Sequence, residues 1–369
     1  MTYRFGIDIG GTFTDFALFD SLGGTLGIHK QLTSADDPSR AVIQGVETLL
    51  TREGVDISQV SELVHGTTLV TNAVIERKGA RTGMLITKGF RDILDMRHEK
   101  RYDVFDLRIT FPDPIVPRAL RREVPERIQF DGRVEIPLDL SAAEESVRDL
   151  VDNEGIDALS VCLLHAYTNP SHEQAIAQMV ATRFPELFVS TSAEVFPGWR
   201  EFERFNTTSI NAFTQPMFHR YLERIENGLS SLGFEGLFYV MSSSGGTLTP
   251  SVARRLPVRV VESGPAAGAQ MSVFHGRALG LPNLLSFDMG GTTAKGALVR
   301  TGAAMKVYEL EVARQHEFMA GSGLPIRTPV IDMIEIGAGG GSIAEVDYRG
   351  TIKVGPQSAG AAPGPACYG

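Results

Sequence analysis

Two stretches of the sequence place an aspartate, two glycines and hydroxyl side chains at the end of an apolar run. They read FGIDIGGTFTDFALFD (5–20) and SFDMGGTTAKGALVR (286–300), and they align at a constant offset of 280 residues. Adjacent glycines in a turn expose backbone N–H groups and let an anion approach the main chain, and a following hydroxyl adds a donor. An aspartate at the end of the preceding strand can hold hydrated Mg²⁺ beside phosphate oxygens. The pattern therefore predicts two hairpins that clasp a polyphosphate.

The candidate ligands occupy the turns of the two copies and the strand ends beside them. The phosphate-binding candidates are Gly10, Gly11, Thr12, Thr14, Gly290, Gly291, Thr292 and Thr293, and Asp8 and Asp288 are candidates for both the nucleotide and the metal. One such motif alone could be an ordinary tight turn, but its repetition with matching flanks favours phosphate binding. The P-loop motif and the G-x-G-x-x-G dinucleotide motif are both absent from the sequence.

Other polar residues are candidates for the chemistry itself. His65, Thr67 and Thr68 in HGTTLVTN follow a strand and precede a helix, a position that favours an anion or a reacting oxygen. Their alternative role is a helix cap with a structural histidine. Asp15 could act as a general base or form an ordinary ion pair. Lys295, at the equivalent position of the second copy, could contact a phosphate or be an exposed strand lysine.

Composition limits the classes of function that the chain can serve. Its 369 residues, 43% of them hydrophobic and 21% charged, are typical of a soluble protein of about two domains. No apolar run approaches the roughly 18 residues of a membrane span, so we expect a cytoplasmic protein that binds no membrane. The net charge of -9 argues against nucleic-acid binding. Cys162 and Cys367 form neither a disulfide framework nor a metal-binding pattern.

Strand and helix patterns alternate along the chain, which predicts an α/β fold with helices covering a sheet. The predicted strands are 5–9, 13–19, 82–87, 158–164, 237–242 and 259–262, and the predicted helices are 38–53, 142–154, 172–183, 200–232 and one that begins at 263. The Pro- and Arg-rich region 110–137 is predicted to be irregular. The arginines of 91–101 and 117–127 alternate with acidic residues, so they could form local ion pairs, or one of them could meet an anionic substrate.

Several longer motifs carry a resemblance to a known family. DIGGTFTD and DMGGTTAK resemble the two phosphate motifs of the actin-like ATPase superfamily. HGTTLVTNAVIERKGARTGMLITKGFRDIL, VESGPAAGA and IEIGAGGGSIA resemble the hydantoinase A and oxoprolinase family, which also contains nucleotide-binding subunits of ketone carboxylases. The resemblance implies an actin-like (ribonuclease H-like) α/β ATPase fold with two duplicated domains. It also implies ATP and Mg²⁺ as cofactors, with Gly339, Gly340 and Gly341 touching the nucleotide.

The same resemblance implies a reaction and an organisation. The reaction is ATP-dependent hydrolysis of a cyclic amide, such as a hydantoin, 5-oxoproline or a related lactam, through phosphorylation of the amide carbonyl. The alternatives are a ketone carboxylase subunit, a small-molecule kinase and a nucleotide-driven binding module. We expect an N-terminal domain at 1–199 and the start of a hydantoinase A domain at 200–369 that lacks its later elements. A hydantoinase B-like subunit or a C-terminal continuation would then be the partner.

Overall fold

The computed structural model describes residues 3–24, 26–34, 37–99, 101–291, 293–316, 319–359 and 364–365. The strands in the first part of the chain are β1 Tyr3–Ile9, β2 Phe13–Asp20, β3 Leu26–Leu32, β4 Val60–Thr67, β5 Thr82–Thr87, β6 Arg121–Val124, β7 Arg127–Ile128, β8 Val134–Ile136, β9 Ala158–Cys162, β10 Phe188–Thr191, β11 Leu237–Met241 and β12 Thr247–Leu248. Those that follow are β13 Leu284–Met289, β14 Ala294–Arg300, β15 Ala303–Ala304, β16 Lys306–Val307, β17 Leu310–Val312, β18 Leu324–Ile326, β19 Val330–Ile331, β20 Met333–Ile336, β21 Ser342–Val346 and β22 Ile352–Ser358.

The helices alternate with these strands, as the sequence predicts. They are α1 Pro38–Glu53, α2 Leu69–Ile75, α3 Ile93–Met96, α4 Leu140–Asp152, α5 Ser171–Arg183, α6 Ser192–Val195, α7 Glu201–Ser231, α8 Pro250–Arg255 and α9 Ser263–Ala278. Short 3₁₀ turns cover Ile57–Gln59, Arg118–Leu120 and Pro257–Val260. No helix within the described ranges is both long and apolar enough to cross a membrane.

The first sheet carries the first Gly-Gly-Thr turn. Its six strands run in the order β12-β11-β4-β1-β2-β3. β1 pairs antiparallel with β2 across the turn and parallel with β4 on its other side, so the turn lies next to the carboxyl end of β4. The predicted hairpin is confirmed, and its position at the carboxyl end of a parallel pair is where α/β sheets bind ligands.

Helix α1 covers this sheet because its sequence contains both end signals and an apolar face. The Asp37 side chain accepts a hydrogen bond from the Ser39 N–H at 3.1 Å, and Gly54 ends the helix with a φ of 65°. Gly45 lets the helix approach β2 closely, since a Cβ there would lie 2.0 Å from the Phe16 ring. The predicted helix 38–53 is confirmed residue for residue.

The second sheet and the longest helix form the rest of the main core. Its strands run in the order β10-β9-β5-β6 and all pair in parallel. β5 and β9 are buried along their whole length, as expected of a parallel strand covered on both faces. Helix α7 has 31 residues, about 46 Å of helix, and packs on β9, β10 and α1. It therefore connects the two sheets.

The second Gly-Gly-Thr hairpin repeats the geometry of the first. β1 pairs Asp8 with Asp15, and β13 pairs Asp288 with Lys295, at the same offset of 280 residues. β14 also pairs with β15 and β20, and α9 packs on β13 and β14. A small cluster of Ala266, Ala269 and Ala297 fills the space between α9 and the sheet.

Two sequence predictions are wrong. Residues 259–262 do not form a strand, because Pro257–Val260 is a 3₁₀ turn and Glu262 adopts a left-handed conformation with a φ of 59°. The region 110–137 is not irregular throughout, since β6 within it pairs with β5. Cys162 is a free, buried thiol whose pKa is raised by burial, while Cys367 lies outside the described residues.

Candidate functional site

Hydrogen bonds to the backbone of Gly10 hold the first turn in place. The Gly10 N–H donates to the Phe13 carbonyl at 2.9 Å, and the Thr33 hydroxyl donates to the Gly10 carbonyl at 3.0 Å. Thr14 is fully buried and shares a hydrogen bond of 3.0 Å with the Thr33 hydroxyl. The Thr14 hydroxyl thus supports the turn, and its role as a phosphate ligand stays a prediction. Thr12 is partly exposed on the turn itself.

The second turn has the same internal bond and an additional support. The Gly290 N–H donates to the Thr293 carbonyl at 2.9 Å, while Thr292 lies outside the described residues. The Gly340 N–H donates to the Gly290 carbonyl at 2.9 Å, and the Gly341 N–H donates to the Gly291 carbonyl at 2.7 Å. The glycine-rich loop after β20 therefore braces the second turn.

This bracing occupies the N–H groups of the three glycines, whose contact with the nucleotide stays a prediction. The Gly339 N–H donates to the Ser342 hydroxyl at 2.8 Å, so the three glycines at 339–341 all donate within the protein. Their N–H groups are not available to a ligand. A Cβ at Gly341 would lie 3.0 Å from the Gly291 carbonyl oxygen, so a glycine here allows the close approach of the two loops.

Asp8 lies at the centre of the candidate site, on β1 of the first sheet and beside the start of α9. Its side chain is accessible to solvent and packs against two glycines of other elements. A Cβ at Gly264, the second residue of α9, would lie 2.6 Å from Asp8 Oδ1, and one at Gly66 would lie 2.8 Å from it. These glycines leave the space that the carboxylate occupies.

The electrostatics of Asp8 connect the two hairpins. Loss of hydration in this cleft, together with the negative charges of Asp15 and then Asp288, raises the pKa of Asp8 to about 6. Lys295 and Lys30 oppose these effects. Asp288 belongs to the second hairpin, and its charge acts on the Asp8 carboxylate. The two predicted metal ligands are therefore close enough to interact electrostatically. A divalent cation would relieve this repulsion.

The carboxylates fit a magnesium ion that also needs phosphate ligands. Within the described part of the chain, no three His, Cys, Asp or Glu side chains are close enough to hold a metal ion together. Mg²⁺ is usually bound through one or two carboxylates, with waters and substrate phosphates completing its coordination. The pair of Asp8 and Asp288 matches that requirement better than a protein-only metal site.

Lys295 extends from the second hairpin to the residue just before α9. Its side chain is only 12% exposed, and its Nζ pairs with Glu262 and, at 3.4 Å, with Glu335. Burial lowers the pKa of Lys295, but the two carboxylates outweigh burial and raise it. The exposed-lysine alternative is therefore wrong. Glu262 has a positive φ, and such strain in a non-glycine residue is common at functional sites.

The three HGTT candidates have different environments. His65 is fully buried, its Nε2 lies 2.7 Å from the Tyr221 hydroxyl, and burial lowers its pKa to about 3. The ring of His65 lies in the core away from solvent, and its catalytic role stays a prediction. Thr67 is also buried, and its hydroxyl accepts a hydrogen bond from the Leu69 N–H at the start of α2, so its role in the reaction stays a prediction as well. Thr68 alone of the three lines a cavity.

Asp15 forms the ion pair that the sequence left open. Its side chain is half exposed, and Lys30 Nζ lies 2.9 Å from its Oδ1. The residue pairs with Asp8 across the hairpin, and its charge acts on Asp8. The ion pair does not exclude a second role as a general base, because a half-exposed pair in water is weak.

A cavity of about 560 Å³ lies beside the first turn. Gly10, Gly11 and Thr68 line one side, and Arg220 and Arg224 of α7 line the other. The two arginines place positive charge near the proposed phosphate site. Sequence reasoning missed them because they lie about 210 residues from the turn, although their i, i+4 spacing on a long helix places them on one face.

Comparisons with known proteins agree on one family. The family profile described as hydantoinase/oxoprolinase N-terminal region matches residues 4–184, and the profile described as hydantoinase/oxoprolinase matches residues 204–369. The chain is 36% identical to caprolactamase subunit alpha of Pseudomonas jessenii, over 100% of this chain and 52% of the relative. It is 32% identical to 5-oxoprolinase 1 of Arabidopsis thaliana, over 99% of this chain and 30% of the relative.

Solved structures show the same relationship and confirm the α/β fold. The crystal structure of the ATP-dependent caprolactamase from Pseudomonas jessenii has a TM-score of 0.83 and 35% identity, covering 99% of this chain and 52% of the other. The nucleotide-free acetone carboxylase has a TM-score of 0.82 and 29% identity, covering 98% and 51%. The chain spans about half the length of each of these two proteins.

Proposed function

The chain belongs to the hydantoinase/oxoprolinase family, and from that premise we propose that it binds ATP and Mg²⁺ between its two Gly-Gly-Thr hairpins. ATP then activates the carbonyl group of a cyclic amide. The observation that carries the proposal is the electrostatic coupling of Asp8 to Asp15 and Asp288, which concentrates negative charge between the two turns. The actin-like arrangement of two duplicated domains, with a boundary near residue 200, is part of the same proposal.

The chemistry explains why a cyclic amide needs ATP. Amide resonance makes the carbonyl a poor electrophile, and a five-membered lactam can close again after opening. Attack of the carbonyl oxygen on the γ-phosphorus forms an activated imidate phosphate and releases ADP. Water then adds to the carbon, and the C–N bond breaks to leave an acyl phosphate with a free amine. A second water hydrolyses the acyl phosphate, which releases phosphate and the open-chain amino acid. Phosphoryl transfer needs mainly positioning and charge neutralisation from the protein.

The residues of this chain divide these tasks. Asp8 and Asp288 would hold Mg²⁺, which supplies charge neutralisation at the phosphates when it is bound. Gly10, Gly11 and the second turn let phosphate oxygens approach the backbone. Asp15 is the candidate that orients the attacking water, because it stands beside Asp8 and remains half exposed.

A ketone carboxylase subunit is the second candidate function. It is supported by the TM-score of 0.82 with acetone carboxylase, which is close to the value for caprolactamase. The two candidates differ in the carbonyl compound that ATP activates. Assays of ADP and phosphate release with a panel of lactams and hydantoins, and then with ketones plus bicarbonate, distinguish them. Stimulation by ketone plus bicarbonate alone would refute the cyclic-amide proposal.

Two further alternatives have distinct products. A small-molecule kinase would leave a stable phosphorylated product, visible by phosphorus NMR, whereas ring opening releases free phosphate. A nucleotide-driven binding module would hydrolyse ATP at the same rate with and without the small molecules. Substrate-dependent release of free phosphate is therefore the outcome that supports an enzyme of the proposed kind.

The protein is proposed to act with a partner. The caprolactamase relative is a subunit alpha, and another relative is the acetone carboxylase beta subunit of Xanthobacter autotrophicus, 31% identical over 96% of this chain and 50% of the relative. We therefore propose a hydantoinase B-like subunit or a further segment as the source of the remaining amide chemistry. Co-purification followed by reconstitution of lactam-dependent ATP hydrolysis tests this assignment.

A further inference from the structure

A second cavity, of about 650 Å³, lies near the beginning of α7. Its walls are contributed by α3 and the residues after it, by the first turn of α7, and by Glu309, Glu311 and residues between 320 and 325. Glu203 in this cavity and Arg220 in the cavity beside the first turn are 17 positions apart on α7. At 1.5 Å per residue that is about 25 Å, so the second cavity is separate from the proposed nucleotide site.

Glu203 gives this cavity an unusual buried acceptor. The side chain is 1% exposed, and its Oε1 lies 3.2 Å from an Arg200 nitrogen, 3.2 Å from an Arg327 nitrogen and 3.4 Å from His98 Nε2. Its Oε2 is buried and has no hydrogen-bond partner in the described structure. Because a buried acceptor without a donor is unfavourable, Oε2 is ready to accept a hydrogen bond from a ligand.

Arg97 supplies the complementary donor. Its guanidinium stacks on the Phe111 ring at 4.2 Å and lies 5.3 Å from the Phe202 ring, which fixes its plane. Its Nη2 donates to the Gly323 carbonyl at 2.5 Å, whereas its Nη1 is buried without a partner in the described structure. The cavity therefore contains one unsatisfied carboxylate oxygen and one unsatisfied guanidinium nitrogen.

Backbone strain is also concentrated at this cavity. Arg97 has a φ of 57° and Arg200 has a φ of 75°, conformations that non-glycine residues seldom adopt. Strain of this kind persists where surrounding contacts hold it, and it is common at ligand sites. Both arginines line the cavity, Arg97 at the end of α3 and Arg200 just before α7.

The charges of the lining residues indicate the class of ligand. The cavity carries both signs of charge. Its lining carboxylates are Glu201, Glu203, Glu309 and Glu311 and its lining guanidinium groups are Arg97 and Arg200, while Arg327 pairs with Glu203 and Glu309 and Arg314 pairs with Glu311. A ligand that carries both charges matches these surroundings, with its ammonium group toward Glu203 Oε2 and its carboxylate toward Arg97 Nη1. Aromatic and aliphatic side chains of Ile93, Tyr102, Phe111 and Pro325 suit a short hydrocarbon chain between the two charged groups.

We propose that this cavity binds a zwitterionic amino acid of the kind released when a cyclic amide is opened, with its ammonium group on Glu203 and its carboxylate on Arg97. The identification of the ligand rests on the proposed function, while the presence of a zwitterion site rests on the cavity alone. Because the cavity joins α3 to Glu309, Glu311 and residues between 320 and 325, a bound product would link these two parts of the chain.

Calorimetric titration with 6-aminohexanoate and with glutamate tests the proposal. We expect saturable binding that Glu203→Gln weakens at least tenfold, because the amide would direct a donor at the ammonium group. Ala320→Phe provides a second variant, since this exposed loop residue lines the cavity and can fill it without disturbing the core. It should abolish binding while the melting temperature stays unchanged.

Three control compounds separate the possible outcomes. Hexanoate lacks the ammonium group, hexylamine lacks the carboxylate, and ε-caprolactam is the closed ring, so each should bind at least tenfold more weakly. Equal binding of hexanoate, tighter binding of the lactam, or unchanged affinity in both variants would overturn the proposal. ATP binding measured on the same samples tests the nucleotide site independently, so its failure would refute the proposed function and leave this site standing.

Discussion

Gly264 offers a sharp test because the three atoms nearest to an added methyl group there all belong to the Asp8 carboxyl group. The Cβ of a Gly264→Ala variant would lie 2.6 Å from Asp8 Oδ1 and 3.2 Å from Oδ2. Ordinary contacts of this type begin at 3.4 Å, so Asp8 must move by about 0.8 Å, the difference between 3.4 and 2.6 Å. The glycine has a negative φ, so alanine fits the backbone itself.

The expected magnitude follows from that displacement. A misplacement of about 1 Å at a reacting site can reduce the rate about 100-fold. We therefore expect Gly264→Ala to lower kcat/KM for substrate-dependent ATP hydrolysis by about 10- to 100-fold, or about 1.4–2.7 kcal/mol. The assay is coupled detection of ADP at fixed Mg²⁺. Gly66→Ala, which approaches Asp8 from another element at 2.8 Å, should have a similar effect.

The matched control lies in the same helix. Gly268 is exposed, and a Cβ there meets no atom within 4 Å. Gly268→Ala should therefore keep full activity and raise the free energy of unfolding by about 0.5–1 kcal/mol through helix propensity. If Gly264→Ala retained wild-type kcat/KM, or if both variants lost activity equally, the assignment of Asp8 to the reaction would be refuted.

Three further predictions follow from charges and exposure. Metal binding requires ionised Asp8, whose pKa is raised to about 6. The affinity for MgATP should therefore fall by up to about tenfold per pH unit below pH 6. Calorimetry at several pH values tests this, and an affinity that does not change with pH would contradict it. Lys295→Met leaves Glu262 unpaired and should lower the free energy of unfolding, measured in urea, by about 2–4 kcal/mol. Adding Glu262→Gln should restore part of this loss. Wild-type stability of the Lys295→Met variant would refute the pairing. Phe287→Asp should change stability by less than about 0.5 kcal/mol, whereas Ile7→Asp at the equivalent position should unfold the chain, since Phe287 is 62% exposed and Ile7 is 4% exposed. Equal losses in thermal denaturation would contradict the exposure of Phe287 on the sheet formed by β13 and β14.

The sequence predicts elements well where the signals are local. The helix Pro38–Glu53 and the strand Thr82–Thr87 have the predicted bounds, because capping residues and a buried apolar run specify them directly. Residues 259–262 have a high strand propensity but do not form a strand. Pro257 and the hydrogen bond from the Glu262 N–H to the Thr71 hydroxyl override that propensity. Tertiary contacts of this kind are not visible in a short window.

The internal repeat predicts the second hairpin but not its surroundings. Phe5, Ile7 and Ile9 are buried in the main core, whereas the matching Leu285, Phe287 and Met289 are more than half exposed. Leu298, Ile334 and Ile336 lie exposed on neighbouring strands and extend this apolar face. Among the described residues, the same pattern is therefore buried in one copy and exposed in the other, because burial depends on which element packs against the sheet.

The site could be predicted only in part for a similar reason. The aspartates and glycine turns form a local motif, so their approximate role follows from spacing. The burial of Thr14 and His65 depends on which face of each strand is covered, and the sequence does not state that. Arg97 and Arg220 meet their cavities only through contacts between distant parts of the chain, so no local pattern identifies them.

The most direct test of the central claim is calorimetric titration with MgATP of the wild type, Asp8→Asn, Asp288→Asn and the double variant. If both aspartates act on one metal ion between the two turns, each single variant should weaken binding at least tenfold. The double variant should then be little weaker than the worse single variant, because the two losses are not independent. Unchanged affinity in the double variant would contradict the proposal that the two hairpins hold one nucleotide.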